Sequence, residues 1–180
     1  MERVLATISS IDAVDYPRKK IVIVNDGSTD GTLDLMKEKL ELYEIPKTTE
    51  NVLKTQPEKA LFRSKKYQDL IVVDKENGGR SDALNVGINI SQFPLICCVD
   101  SDSLLDPKGL IRVALPFLED REHVIATGGT ILPITHQHSM VSKIPFTWYY
   151  IIQSMEYIRA FMVGRMGWDY LNSTTIISGA

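Results

Sequence analysis

Two aspartates spaced by one residue follow an apolar run in the middle of the chain. The run Leu95–Val99 ends directly at Asp100, and Asp102 follows after one serine. Mg²⁺ and Mn²⁺ prefer oxygen ligands, and Mg²⁺ commonly completes its shell with waters and phosphate oxygens. The pair therefore predicts a Mg²⁺ or Mn²⁺ site that neutralises charge on a diphosphate leaving group. The pattern is weak alone, because a turn capped by Asp102 or Ser103 has the same sequence.

A second polar motif follows an earlier apolar run. The sequence NDGSTDGT places Asp26, Gly27 and Ser28 directly after the run 20–25. The glycine lets the backbone approach a ligand closely. The carboxylate of Asp26 can accept hydrogen bonds from a nucleotide base or a ribose. The alternative is a plain Asp-Gly turn before a capped helix, and on this motif alone the alternative is preferred.

The third motif, NGGRSDALN, spans residues 77–85. A turn through Gly78 and Gly79 into a helix N-terminus is a ready anion site. Arg80 adds a fixed positive charge there and can bind phosphate through two hydrogen bonds. Asp82 in the first helical turn is partly explained by the helix dipole. The alternative is an ordinary strand–turn–helix with a solvated arginine.

Apolar periodicity and turn residues predict the elements that carry these motifs. Helices are predicted at 2–14, from the Thr29 or Asp30 cap to about Tyr43, at 81–91 and from Pro107 to about Glu119. Strands are predicted at 20–25, 70–74, 95–99 and 124–127, with 44–69 as an irregular connection. This alternation indicates βαβ units and a mostly parallel sheet, in which ligands bind at the carboxyl ends of the strands. Asp26, Asp74 and Asp100 follow three such ends, so we expect them at one edge.

Composition limits the function classes. The chain has 180 residues, of which 44% are hydrophobic and 24% charged, as in an ordinary globular domain. Its net charge of −3 gives no reason to expect nucleic acid as a partner. Residues 146–163 are rich in aromatic side chains but interrupted by charges, which argues against a transmembrane helix and is compatible with a membrane-interfacial one. A helix packed in a core or against a partner is the alternative.

In this order, the motifs NDGSTDGT, DKENGGRSDALN and VDSDSLLDP resemble the nucleotide-sugar domain of family-2 glycosyltransferases. The resemblance covers most of residues 1–135, and the later FTWYYIIQSMEYIRAF is similar to membrane-associated, polysaccharide-building members. It implies a GT-A fold, an α/β Rossmann-like domain with a mostly parallel sheet and flanking helices. Residues 1–135 would form this core, and residues 136–180 would begin an acceptor-side region.

The resemblance also implies ligands. The donor would be a nucleoside-diphosphate sugar, usually UDP-linked, bound with a divalent metal, and the acceptor a glycan or lipid-linked molecule. Asp26 matches the aspartate that contacts uracil, Arg80 stands where many members have lysine, and Asp102 is the more direct metal ligand. The nucleotide-sugar-binding residues would be Asp26, Gly27, Ser28, Asp74, Gly79, Arg80, Asp82 and Asp100, and the metal ligands Asp102 and Asp100.

The chain departs from the family pattern at both ends. Members begin this domain with a strand and a Pro-x-Tyr-Asn-Glu type segment, whereas this chain opens on the helix that normally follows. Members also carry a later acidic motif with the catalytic base, and polymerising members a Gln-x-x-Arg-Trp motif. We therefore expect an incomplete domain, inactive alone, with its base beyond Ala180. The full-length protein would lie at the cytoplasmic face of the cell membrane, attached through regions outside this chain.

Two other functions fit parts of the sequence. A non-catalytic nucleotide-sugar binder is compatible with it, because every matched residue is a binding residue. A haloacid-dehalogenase-type phosphatase would use Asp100 as its nucleophile. In such enzymes the motif continues with glycine and threonine or valine, whereas this chain has Ser103 and Leu104. The phosphatase hypothesis is therefore disfavoured.

Overall fold

The computed structural model describes residues 2–47, 52–131 and 148–160. The chain divides into two compact units, Met1–Arg112 and Val113–Ala180. The predicted functional boundary after residue 135 stays a prediction. The helices are α1 (Glu2–Asp12), α2 (Thr32–Lys39), α3 (Arg80–Ile90), α4 (Gly109–Glu119) and α5 (Trp148–Ile158), and the strands are β1 (Ile21–Asp26), β2 (Leu42–Ile45), β3 (Glu58–Ser64) and β4 (Leu70–Lys75).

The four strands form one sheet in the order β1-β4-β3-β2. Strands β1 and β4 are parallel, whereas β4–β3 and β3–β2 are antiparallel. The predicted α/β class with flanking helices is confirmed, and the described sheet is mixed rather than mostly parallel. The difference comes from β2 and β3, which lie where the sequence predicted an irregular connection. Both strands contain only short apolar runs beside charged residues, and Pro46 and Pro57 flank the strands rather than interrupt them.

Three other element predictions need correction. Helix α2 ends at Lys39 rather than near Tyr43, because Glu41 has a left-handed φ of 49° and the chain then enters β2. The runs Leu95–Val99 and Val124–Thr127 are not strands. A strand needs a hydrogen-bonded neighbour, and the described residues place none beside either run.

The core lies on both faces of the sheet. Strand residues alternate between the faces, so a strand with helices on both sides is apolar along its whole length, as β4 is. One face packs against α1 and α2 through buried residues that include Ile8, Met36, Leu40, Leu70 and Val72. The other face packs against α3 through Leu61, Ile71, Val73, Val86 and Ile90.

The parallel register brings two polar pairs to the carboxyl ends of β1 and β4. Asn25 is aligned with Asp74, and Asp26 with Lys75. By alternation, Asp26 and Lys75 continue the face that α3 covers, while Asn25 and Asp74 continue the face that α1 and α2 cover. The first helical turn of α3 begins five residues after Lys75, so it starts beside the Asp26–Lys75 pair.

In the second unit, α5 confirms a helix within the predicted 146–163 span. Residues 146, 147 and 161–163 lie outside the described residues. Trp148, Ile152 and Met155 are exposed at helical spacing, and Arg159 is ion-paired with Glu156 at 2.8 Å. None of the helices that the structure describes is both long and apolar enough to cross a membrane.

Candidate functional site

A buried lysine lies at the carboxyl end of β4. The side chain of Lys75 has no exposed surface, and its Nζ atom lies 2.6 Å from Oδ1 of Asp26 and 2.6 Å from Oδ1 of Asp82. A buried charge is costly unless it is paired. Lys75 is not among the site residues that the sequence predicted. The available signal was a lysine just after the apolar run of β4, but its meaning depends on the β1–β4 register.

Asp26 holds the Gly-Gly turn before α3. Its Oδ1 accepts a hydrogen bond from the amide of Gly78 at 2.9 Å, and its Oδ2 accepts one from the amide of Gly79 at 2.7 Å. The side chain of Asn77 donates to the backbone carbonyl of Asp26 at 2.9 Å. The anion-binding position that the sequence predicted at this turn is therefore filled by the protein's own carboxylate.

These contacts fix the charges of the cluster. Burial alone would raise the pKa of Asp26, but Lys75 and the two glycine amides outweigh it and hold the pKa below its usual value. Burial alone would lower the pKa of Lys75, but the two carboxylates raise it above its usual value. The hydrogen bond from Lys75 is the main cause of the lowered pKa of Asp82. All three groups are charged at neutral pH.

Asp82 also anchors the segment 52–57 to α3. Its Oδ2 accepts a hydrogen bond from the amide of Gln56 at 3.0 Å. Two turns along the helix, Asn89 bonds the amide and the carbonyl of Leu53 at 2.8 and 2.9 Å. The helix thus holds this segment at two points. The predicted donor-side role of Asp82 stays a prediction, and the geometry gives it a structural role as well.

The third motif meets the Asp-x-Asp turn through one ion pair. Nη2 of Arg80 lies 2.6 Å from Oδ1 of Asp100, and the two side chains are 65% and 40% exposed. The amide of Ser103 donates to the carbonyl of Asp100 at 3.1 Å and closes a turn around Asp102, which is exposed. Motifs separated by twenty residues therefore converge at one edge.

The chemistry of this turn fits a divalent cation only in part. Within residues 2–47, 52–131 and 148–160, no three histidine, cysteine or acidic side chains are grouped so that they could hold a metal. Asp100 and Asp102 supply two carboxylates. Two carboxylates suit an ion that takes its other ligands from waters and from the phosphates of a substrate, as Mg²⁺ commonly does.

The remaining predicted residues lie near this edge in different settings. Gly27 has a φ of +71°, and a Cβ atom there would lie 2.8 Å from the amide nitrogen of Asn77. Ser28 is exposed in the loop after β1. Asp74 lies on the opposite face of the sheet from Asp26 and accepts a hydrogen bond from Asn25 at 2.8 Å. Their predicted nucleotide contacts stay predictions.

Comparison with known proteins decides the family. The model of the family described as glycosyl transferase family 2 matches residues 2–171. The chain belongs to glycosyltransferase family 2. The resemblance of the three motifs is thereby confirmed, and the phosphatase alternative loses its support.

Curated relatives of this family-2 chain include synthases of a polysaccharide. Poly-beta-1,6-N-acetyl-D-glucosamine synthase of Staphylococcus aureus (strain COL) is 28% identical over 144 residues, which cover 79% of this chain and 28% of the relative. The enzyme of the same name from Staphylococcus epidermidis is 29% identical over 144 residues, with the same coverage. The chain thus spans just over a quarter of the length of these relatives. No solved structure matches it significantly.

Proposed function

We propose that this family-2 chain binds a nucleoside-diphosphate sugar, with UDP as the nucleotide, together with Mg²⁺ or Mn²⁺. The complete enzyme would transfer the sugar with inversion to a hydroxyl of a glycan or lipid-linked acceptor. The observation that supports this most is the 2.6 Å contact between Arg80 and Asp100. It joins the basic residue of one family motif to the acidic pair of another, beside the carboxyl end of β1.

Asp26 would bind the base. It is ionised at neutral pH, and its side chain keeps 20% of its surface exposed. A carboxylate offers about four acceptor positions. The described residues donate to three of them, from Lys75, Gly78 and Gly79. One further N–H, such as that of uracil, completes the set.

Arg80, Asp100 and Asp102 would hold the diphosphate end. Arg80 is exposed enough to contact a phosphate oxygen, and its planar guanidinium suits two parallel hydrogen bonds. Asp102 and Asp100 would hold the cation. When bound, that cation neutralises charge on the departing diphosphate.

The membrane part of the proposal rests on α5. The exposed stripe of Trp148, Ile152 and Met155 would lie at the lipid interface, with the full-length protein at the cytoplasmic face. Co-sedimentation of the chain with anionic phosphatidylglycerol vesicles measures this. Replacing Ile152 and Met155 together by serine should abolish the co-sedimentation. Binding that persists unchanged would contradict an interfacial role of this stripe.

Calorimetric titration with UDP tests the site itself. We expect the chain to bind UDP more tightly with Mn²⁺ than with EDTA. Asp102→Ala should remove the metal dependence, whereas Asp26→Ala should weaken binding under both conditions. Asp34→Ala, which removes an exposed carboxylate on α2, is the matched control and should leave both affinities unchanged. A wild-type chain that is folded but binds UDP equally with Mn²⁺ and with EDTA would contradict the metal role.

A further inference from the structure

Helix α1 and the residues that follow it contact the segment that carries the Asp-x-Asp motif at three successive points. The hydroxyl of Thr7 donates to the carbonyl of Ser101 at 3.0 Å, and the hydroxyl of Ser10 accepts from the amide of Leu105 at 3.2 Å. Beyond the helix end, the amide of Asp15 donates to the carbonyl of Pro107 at 2.9 Å. Residues three apart lie on the same face of a helix. The face that bears Thr7 and Ser10 thus runs along residues 101–107.

This contact replaces the support that a sheet gives elsewhere. Asp26 and Lys75 end strands whose register fixes them, but the run before Asp100 has no ladder partner among the described residues. Thr7 is only 5% exposed, so its hydroxyl has exchanged water for protein partners. Its single proton is shared between the carbonyl of Ser101 and, at 3.1 Å, the carbonyl of Arg3. A buried hydroxyl fixed in this way specifies a position, because an unmade bond there is costly.

The hydroxyls of Thr7 and Ser10 bond the backbone of the loop and not the carboxylates of Asp100 and Asp102. Thr7 bonds the carbonyl of Ser101, which lies between Asp100 and Asp102, and Ser10 bonds the backbone amide of Leu105, four residues further on. Neither hydroxyl uses a carboxylate oxygen. From the other side, α3 contacts the loop through the ion pair of Arg80 with Asp100. The loop is therefore held through its backbone by one helix and through a side chain by another.

We propose that α1 holds the backbone of this loop in place and that Thr7 and Ser10 are positioning residues for Asp100 and Asp102. This inference rests on the proposed metal–diphosphate function of the loop. Since neither hydroxyl contacts the ligand, their effect on binding would pass through the placement of the two carboxylates. Metal-dependent binding of UDP should therefore need the hydroxyls, whereas metal-free binding at Asp26 should not.

The variants are Thr7→Val, which keeps the branched shape and removes the hydroxyl, and Thr7→Ser, which keeps the hydroxyl. Ser10→Ala tests the second contact. Ser9→Ala is the matched control, since Ser9 is an exposed serine on the same helix. Melting temperatures identify any variant that fails to fold, and Ser10→Ala, at a less buried position, serves if Thr7→Val is such a case.

Two measurements on the full chain distinguish the stabilisation of the loop by α1 from the proposed function. Amide hydrogen exchange of residues 101–105 needs no ligand, and it should be faster in Thr7→Val and Ser10→Ala than in wild type or Ser9→Ala. In calorimetry with Mn²⁺, Thr7→Val should weaken UDP binding about three- to tenfold, the scale of one hydrogen bond. With EDTA its affinity should match wild type, and Thr7→Ser should restore the Mn²⁺ value.

The outcomes point to different failures. Unchanged amide hydrogen exchange in Thr7→Val and Ser10→Ala would contradict the stabilisation of the loop by α1, whatever the chain binds. Equal weakening of UDP binding with Mn²⁺ and with EDTA would overturn the positioning role and indicate a general loss of structure. If the wild-type chain shows no metal-dependent UDP binding, the proposed function fails, and the positioning role fails with it even if exchange has changed.

Discussion

Two groups of ion-paired side chains lie at the carboxyl edge of the sheet. Each pairs one basic residue with one or two aspartates. In one, a lysine is paired with Asp26 and Asp82, each contact measuring 2.6 Å. In the other, Arg80 is paired with Asp100 at the same distance. They differ in solvent exposure, since Lys75 has no exposed surface whereas the side chain of Arg80 is 65% exposed. The first cluster ends two paired strands, and the second links a helix to a loop.

This difference separates charge that mainly stabilises the fold from charge that is accessible to a ligand. Removing one member of a buried pair leaves an uncompensated charge away from water, which is strongly destabilising. An exposed pair contributes little to stability because water and salt screen it. The Lys75 cluster is therefore part of the fold, and the Arg80–Asp100 pair can exchange partners at small cost. A site that must bind and release a charged ligand needs the second kind of pair.

The largest effect is expected at Lys75. Lys75→Met should lower the free energy of unfolding by about 3 kcal/mol, because Asp26 and Asp82 would lose their shared cation. Arg80→Met is the matched control and should cost less than about 1 kcal/mol. Urea denaturation of the two variants measures both values. Equal losses would remove the distinction between the clusters.

A pair of glycines tests how closely the turns around Asp26 approach each other. Both Gly27 and Gly31 have positive φ, 71° and 77°, so alanine at either is strained by about 1 kcal/mol. Only at Gly27 would the new Cβ collide with the backbone of Asn77; at Gly31 it would meet open space. Gly27→Ala should therefore cost at least about 2 kcal/mol, since overpacking adds to the strain. If thermal or urea denaturation gives the two variants the same stability, the close approach does not contribute.

Acid should weaken the buried cluster. The pKa of Asp26 in the folded chain is below its ordinary value of 3.8, so its contribution to stability is complete above that pH. It is lost as the pH falls through the lower folded pKa. The stability difference between wild type and Asp26→Asn should then shrink below about pH 3.8. Urea denaturation from pH 7 to pH 2.5 measures it, and a difference that stays constant would show that the carboxylate charge is not responsible.

The smallest effect concerns the exposed pair. Arg80→Gln should leave stability nearly unchanged but weaken UDP binding about fivefold, the scale of one ordinary hydrogen bond. Arg80→Lys keeps the charge and should lose less. Calorimetry with Mn²⁺ measures the three affinities. If Arg80→Gln binds UDP as wild type does, the exposed pair does not serve the diphosphate.

The sequence was sufficient for the elements with strong local signals. The apolar runs of β1 and β4 and the helices α1 and α3 were predicted within a few residues. The expectation that Asp26, Asp74 and Asp100 share one edge rested partly on a strand at Leu95–Val99, which the structure does not have. Strands β2 and β3 were missed because charged residues and flanking prolines leave only short apolar runs in them. The run Leu95–Val99 has the composition of a strand, but strand formation depends on a neighbour, which local sequence does not specify.

The parts of the site that were missed depend on pairing across the chain. Lys75 became interpretable only once β1 and β4 were aligned in parallel, residue by residue. Thr7 and Ser10 are small polar residues in an amphipathic helix, and periodicity alone does not show which element their face contacts. In each case the sequence shows the residue type, but it does not show which distant residue contacts it in the folded chain.

The parallel pairing of β1 with β4 has a consequence for synthesis of the chain. Forty-nine residues separate Asp26 from Lys75. At translation rates of about 5–20 residues per second, β1 leaves the ribosome roughly 2 to 10 s before its partner strand has been made. Throughout that interval the run Ile21–Val24 has an unpaired backbone and apolar side chains on both faces. Such an unpaired apolar segment is prone to aggregation until β4 emerges and the Asp26–Lys75 pair can form.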